Sequence, residues 1–153
     1  MRLRDLALGF ILALTFFALP GAARATTTDE ADSLYTLAGE LYAQKRYGDA
    51  IPLFERIVDL DPSHANAFAL LGGAYFQLGD HAQAIRAFER ALQLDEGIKL
   101  AYLGLVASNY LTRRIESAQE WVTRMVPILT GEERAHYLAM ISAQFPELSV
   151  PGI

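Results

Sequence analysis

Apolar residues recur three and four positions apart through most of this chain, and the clearest stretch is Ala65 to Asp95. Phe68, Leu71, Gly72 and Tyr75 form one stripe at helical spacing, and Ala84, Phe88 and Ala91 form a second. Leu78-Gly79-Asp80 divides them. The glycine suits the left-handed stop of one helix, and the aspartate suits the cap of the next. The stretch therefore predicts two short antiparallel helices, whose small residues Gly72 and Ala84 let the backbones approach closely.

Shifting the frame by 34 residues, from Ala84 to Ala50 or Ala118, brings the pattern back on both sides. Phe68 falls on Leu34 and Tyr102, Leu71 on Leu37 and Leu105, and Phe88 on Phe54 and Val122. The first copy keeps Leu34, Leu37, Ala38, Leu41, Ala50, Phe54, Ile57 and Pro62. The third is degenerate, with Val106 for the glycine, Asn109 for the tyrosine and Met125 for the second alanine. Over about two thirds of its length the chain resembles the tetratricopeptide repeat family. That resemblance implies an all-α fold: a right-handed αα-hairpin solenoid of three repeats (31–64, 65–98 and 99–129). Such repeats are binding scaffolds, so the fold alone names no partner.

Punctuation refines the elements. The first helix is expected over 30–43, burying Leu34, Leu37, Ala38 and Leu41. Pro52 is placed near the start of the second, where a missing amide costs least, and Ser63 is placed as the cap of the third. Pro127 should stop or kink the sixth helix. Thr130-Gly131-Glu132-Glu133 reads as a capping box opening a C-terminal capping helix over 130–145. Its apolar side, Ala135, Leu138, Ile141 and Phe145, would cover the exposed end of the stack. Residues 146–153 read as a loose tail.

Residues 1–25 carry a different pattern. Arg2 and Arg4 precede an apolar run from Leu6 to Leu19; Pro20-Gly21 breaks it, and Ala23-Arg24-Ala25 has the small-x-small form of a cleavage site. This predicts a signal peptide cut between Ala25 and Thr26, a short linker over 26–30, and a periplasmic or secreted protein with no membrane insertion afterwards. The chain has no cysteine, which excludes a lipoprotein anchor and any disulfide. Without residues 1–25 it keeps 10 of 13 Lys and Arg and 17 of 18 Asp and Glu, a net charge of −7. That balance argues against nucleic acid as a partner.

Catalytic chemistry finds no foothold. His64, His81 and His136 lie in a linker, a helix start and the capping helix, without the clustering that metal ligands need. Asp59, Asp61, Asp80 and Asp95 sit at helix ends, where carboxylates cap. No catalytic residue, metal or cofactor is assigned. Glu120 and Arg124, four apart, read as an exposed helical pair, and Trp121 as a filler beneath the capping helix.

The resemblance further implies that the first helix of each repeat lines a concave groove. The residues it places there are Tyr35, Gly39 and Tyr42; Ala69, Gly73 and Phe76; and Leu103, Ala107 and Tyr110. Tyr42, Phe76 and Tyr110 form an aromatic column that either faces a ligand or packs between repeats. Gly39, Gly73 and Ala107 form a small-residue column. Co-chaperone members of the family hold a terminal carboxylate with basic residues here, and none stands at these positions. The expectation is a non-catalytic adaptor holding an apolar peptide segment of an envelope protein. The alternative is a structural subunit of an envelope or secretion assembly, docking through its outer face. The sequence assigns no oligomeric state.

Overall fold

The computed structural model describes residues 20–150. Seven α-helices follow one another: α1 Pro20–Ala43, α2 Tyr47–Leu60, α3 Ala65–Gln77, α4 His81–Leu94, α5 Lys99–Leu111, α6 Ile115–Met125 and α7 Gly131–Gln144. A single 3₁₀ turn, Val126–Ile128, joins the last two, and no strand occurs among the described residues. Each helix from α1 to α6 packs on the next, giving three hairpins, and α3 also touches both α1 and α5. The first helices of the hairpins therefore form one layer and the second helices another.

The turns inside the hairpins share one geometry. Lys45 (φ 61°), Gly79 (φ 81°) and Arg113 (φ 61°) are left-handed, and they stand one repeat apart. The residue after each donates its amide to the carbonyl five residues back, closing the helix: Arg46 to Leu41 at 2.9 Å, Asp80 to Tyr75 at 3.0 Å and Arg114 to Asn109 at 2.8 Å. Only Gly79 adopts this conformation without strain. Lys45→Gly should therefore stabilise the fold by about 1 kcal/mol, read as a higher denaturation midpoint, because a side chain in that region costs about 1–2 kcal/mol.

Packing follows the period. The leucine at one shared position is 47 % exposed in the first repeat (Leu37), 6 % in the second (Leu71) and buried completely in the third (Leu105). This position packs against the preceding hairpin, and among the described residues no hairpin precedes the first. Leu37 is thus exposed, contrary to the expectation that α1 buries it.

Phe88, almost fully buried, marks the tightest seam. A Cβ added to Gly72 would lie 2.8 Å from its ring, and one added to Gly104 only 2.2 Å from it. The ring is therefore held between α3 and α5. Around it the core divides into a small cluster centred on Phe54 and Ile57 and a larger one running from Ala69 to Leu148.

Other local expectations shift. α1 begins at Pro20, so the break at Pro20-Gly21 and the linker over 26–30 are helix instead. A proline is well tolerated at the first helical position, and nothing from Ala22 to Asp29 interrupts the helix. The expected signal segment falls largely on residues 1–19, outside the described ones. Pro52 sits six residues into α2, so the Gly48 carbonyl loses its helical partner; Pro52 is exposed there. Ser63 does not cap α3. Its amide and hydroxyl both donate to Asp61 (3.0 and 2.5 Å), holding that carboxyl below its usual range, while His64 Nδ1 accepts the Ala67 amide at 3.2 Å.

α6 stops before Pro127, as the proline requires. Glu133 then accepts from the amide (3.2 Å) and hydroxyl (2.8 Å) of Thr130, tying the start of α7. Leu138 and Ile141 are its buried residues, whereas Ala135 is exposed. Glu133 also pairs with Lys99 at the start of α5, one repeat away. Hydrogen bonds from Lys99 first and Thr130 second hold its pKa down to about 2. A depressed folded pKa stabilises above the unfolded value and is lost as pH falls through the folded one. The hold on α7 should thus weaken between about pH 4.5 and about pH 2. In a carboxyl-carbon NMR titration Glu133 should stay ionised at pH 3 (about), and Lys99→Ala should return it toward ordinary glutamates.

Candidate peptide-binding groove

The layer made by α1, α3 and α5 positions the nine residues assigned to the groove. Tyr42 is half-buried, edge-on to Tyr47 at 5.1 Å and to Phe54 at 6.4 Å. Its hydroxyl lies over Gly73, where a Cβ would approach it to 2.5 Å. Burial first, and Tyr47 second, push its phenol above the ordinary value. The aromatic of one repeat is thus seated on the small residue of the next. Among the described residues no aromatic of a preceding repeat is seated on Gly39, and nothing lies within 4 Å of where its Cβ would be. At Tyr42 and Gly73 the aromatic and small-residue columns meet in one contact between repeats.

Ala69 (2 % exposed) and Gly73 are buried and offer no surface of their own. Phe76 is half-buried against the larger cluster and lies 5.4 Å from His81. Leu103 and Ala107 are half-buried on α5. Tyr35, also half-buried, stacks on His64 at 4.8 Å. Tyr110 rests on Phe145 at 4.9 Å, and its hydroxyl donates to Glu147 at 3.4 Å. The accessible remainder of the groove is Tyr35, Gly39, the outer edges of Tyr42 and Phe76, Leu103 and Ala107.

Its charge is one-sided. From residue 28 to residue 111, the first helices of the three hairpins contain one basic residue, Lys99, and it is paired with Glu133. Tyr75, on α3, donates to Glu55 on α2 of the preceding hairpin; burial first, then that bond, push its pKa up to about 12. Trp121 lies edge-on to Tyr102 at 6.0 Å with the Arg124 guanidinium 4.2 Å above its ring. It lines a hollow of about 380 Å³ with Leu92, Glu89 and Glu96, between α4 and α6. Arg124 therefore serves Trp121 rather than a pair with Glu120. Among the described residues no group of three or more His, Cys, Asp or Glu could hold a metal ion.

Residues 146–150, expected to be loose, are packed. Leu148 is 5 % exposed and belongs to the larger core cluster. Gln119 on α6 accepts the Ser149 amide and donates to the Ser149 carbonyl, each at 2.6 Å. The alternation of Leu148 and Val150 after Pro146 was the available sequence signal.

These features define a class: a stack of helical hairpins with a periodic seam, built to present a surface rather than to assemble reactive groups. Residues 35–98 and 74–132 match the Tetratricopeptide repeat family, together more than half of the chain. The chain belongs to that family, whose domains are typically non-catalytic interaction modules. It is 44% identical over 57 residues to the Hsp70-Hsp90 organizing protein of Triticum aestivum, covering 35% of this chain and 10% of that protein. It is 27% identical over 131 residues to the DnaJ homolog subfamily C member 3 of Gallus gallus, covering 63% and 26%. The chain thus spans about a tenth to a quarter of the length of these relatives.

Solved structures agree on the fold. The Yersinia enterocolitica type III secretion chaperone SycD, in complex with a peptide of the translocator YopD, aligns with TM-score 0.70 and 18% identity, covering 78% of this chain and 91% of that one. The first TPR of Spaghetti (RPAP3), bound to the HSP90 peptide SRMEEVD, aligns with TM-score 0.66 and 23% identity, covering 77% and 94%.

Proposed function

We propose that this protein is a non-catalytic adaptor that holds an apolar peptide segment of an envelope protein along the α1–α3–α5 layer. The observation that carries this reading is the pairing of accessible aromatic and aliphatic surface with an absence of free cations on that layer from residue 28 onward. Peptide capture by relatives of this fold, seen in SycD with a YopD peptide and in RPAP3 with an HSP90 peptide, supports the mode of action. An acidic peptide such as SRMEEVD needs cations that this layer lacks from residue 28 onward. Calorimetry with that peptide should show no binding; micromolar affinity would overturn the apolar assignment.

The envelope location rests on the three-part pattern in residues 1–25. Among the described residues no helix is long and apolar enough to cross a membrane. Cleavage after Ala25 would leave Thr26 to Asp29 at the start of α1, residue types that favour helix caps. Intact-mass analysis of the exported chain should give a first residue of Thr26; a chain retaining Met1 would refute it. The exposed Leu37 favours a second reading, docking of the first hairpin's open end inside a larger assembly.

A further inference from the structure

The contact made by residues 147–150 is built like a recognition site. Gln119 engages both the amide and the carbonyl of Ser149, at 2.6 Å each, and so reads backbone rather than side chain. One residue earlier, Leu148 is buried in the larger cluster. One further back, Glu147 meets the Tyr110 hydroxyl at 3.4 Å and the Arg113 guanidinium at 3.5 Å. A carboxylate, a leucine and the main chain of a residue just past a turn, closed by the Leu148 amide on the Phe145 carbonyl at 3.0 Å, are therefore what the surface engages. The segment itself belongs to no helix or strand, and Pro146 separates it from α7.

We infer that Tyr110, Arg113 and Gln119 form a peptide-binding site filled in cis by residues 147–150. A partner segment with an acidic residue followed by leucine, in the same turn, takes their place. The partner's chemistry follows from that of the present occupant: a carboxylate for Arg113, an apolar branch for the Leu148 socket, and main-chain amide and carbonyl for Gln119. This site lies on the end of α5, the turn after it and α6, shares only Tyr110 with the groove, and does not rest on the reading proposed for it.

The test uses the full chain and a capped synthetic peptide copying residues 145–150, FPELSV. In the Leu148→Asp variant the resident segment loses its anchor, so the peptide should bind at least about tenfold tighter than to the unmodified chain, because the cis competitor is removed. Adding Gln119→Ala to that variant should weaken binding by about tenfold or more. Equal affinity for variant and unmodified chain, or no effect of Gln119→Ala, would overturn the inference. Should Leu148→Asp fail to fold, hydrogen exchange on the unmodified chain decides. The Ser149 amide should exchange at least about a hundredfold faster than the core amides of α6, through local opening. Exchange at the same rate as α6 would make the segment an integral part of the fold and end the proposal.

Discussion

Gly104→Ala is expected to destabilise the protein by about 3 kcal/mol, the upper end of what overpacking costs. The added methyl would stand 2.2 Å from the Phe88 ring, and that ring is itself 1 % exposed and cannot swing clear. Either α5 must move away from α4 or the ring must leave its rotamer. Gly39→Ala supplies the control. It has the same chemistry in a helix, yet nothing lies within 4 Å of the new methyl. That variant should be neutral or gain about 0.5–1 kcal/mol from helix propensity. Equal denaturation midpoints for the two would mean the Phe88 seam is not closed. Combining Gly104→Ala with Phe88→Leu should cost less than the sum of the single changes, since each relieves the other.

Phe54→Ala should cost about 3–5 kcal/mol, as truncation of a fully buried aromatic does. Phe54 is the largest side chain of the smaller cluster, where most of its buried neighbours, among them Ala31, Ala38, Ala50 and Ala67, are alanines that cannot fill the gap. The loss should also be uneven along the stack. Hairpin repeats touch only their neighbours, so stability is distributed hairpin by hairpin. Amides of α1 and α2 should lose protection by about a hundredfold or more, while those of α5 and α6 should lose much less. Uniform loss would show that the two clusters unfold as one.

The 34-residue period made the architecture legible, because each copy contributes the same buried positions. What stayed hidden depends on each copy's neighbours. Leu37 obeys the pattern but has no preceding hairpin among the described residues, and the same leucine that is buried in repeats two and three is exposed. Gly104 replaces Thr36 and Leu70 of the other copies, and only the approach of Phe88 gives its glycine a reason. Lys45 and Arg113 adopt the conformation that Gly79 announces, and the period would have located them. The aromatic and small-residue columns were visible as groove candidates. Their mutual seating, Tyr42 on Gly73, needed coordinates, because it joins residues 31 positions apart in different repeats. Pro20 was read as a breaker although a helix can begin with it. The 146–150 segment was too short for its alternation to stand out.

Site-specific photocrosslinking in the native host tests the adaptor reading most directly. A photoreactive residue at Gly39, which faces open space, probes the α1–α3–α5 layer; one at exposed Arg86 probes the outer layer of second helices. The account predicts one partner crosslinked from Gly39 through an apolar segment, with none from Arg86. Crosslinks from Arg86 and silence at Gly39 would contradict it and put the outer-face subunit in its place.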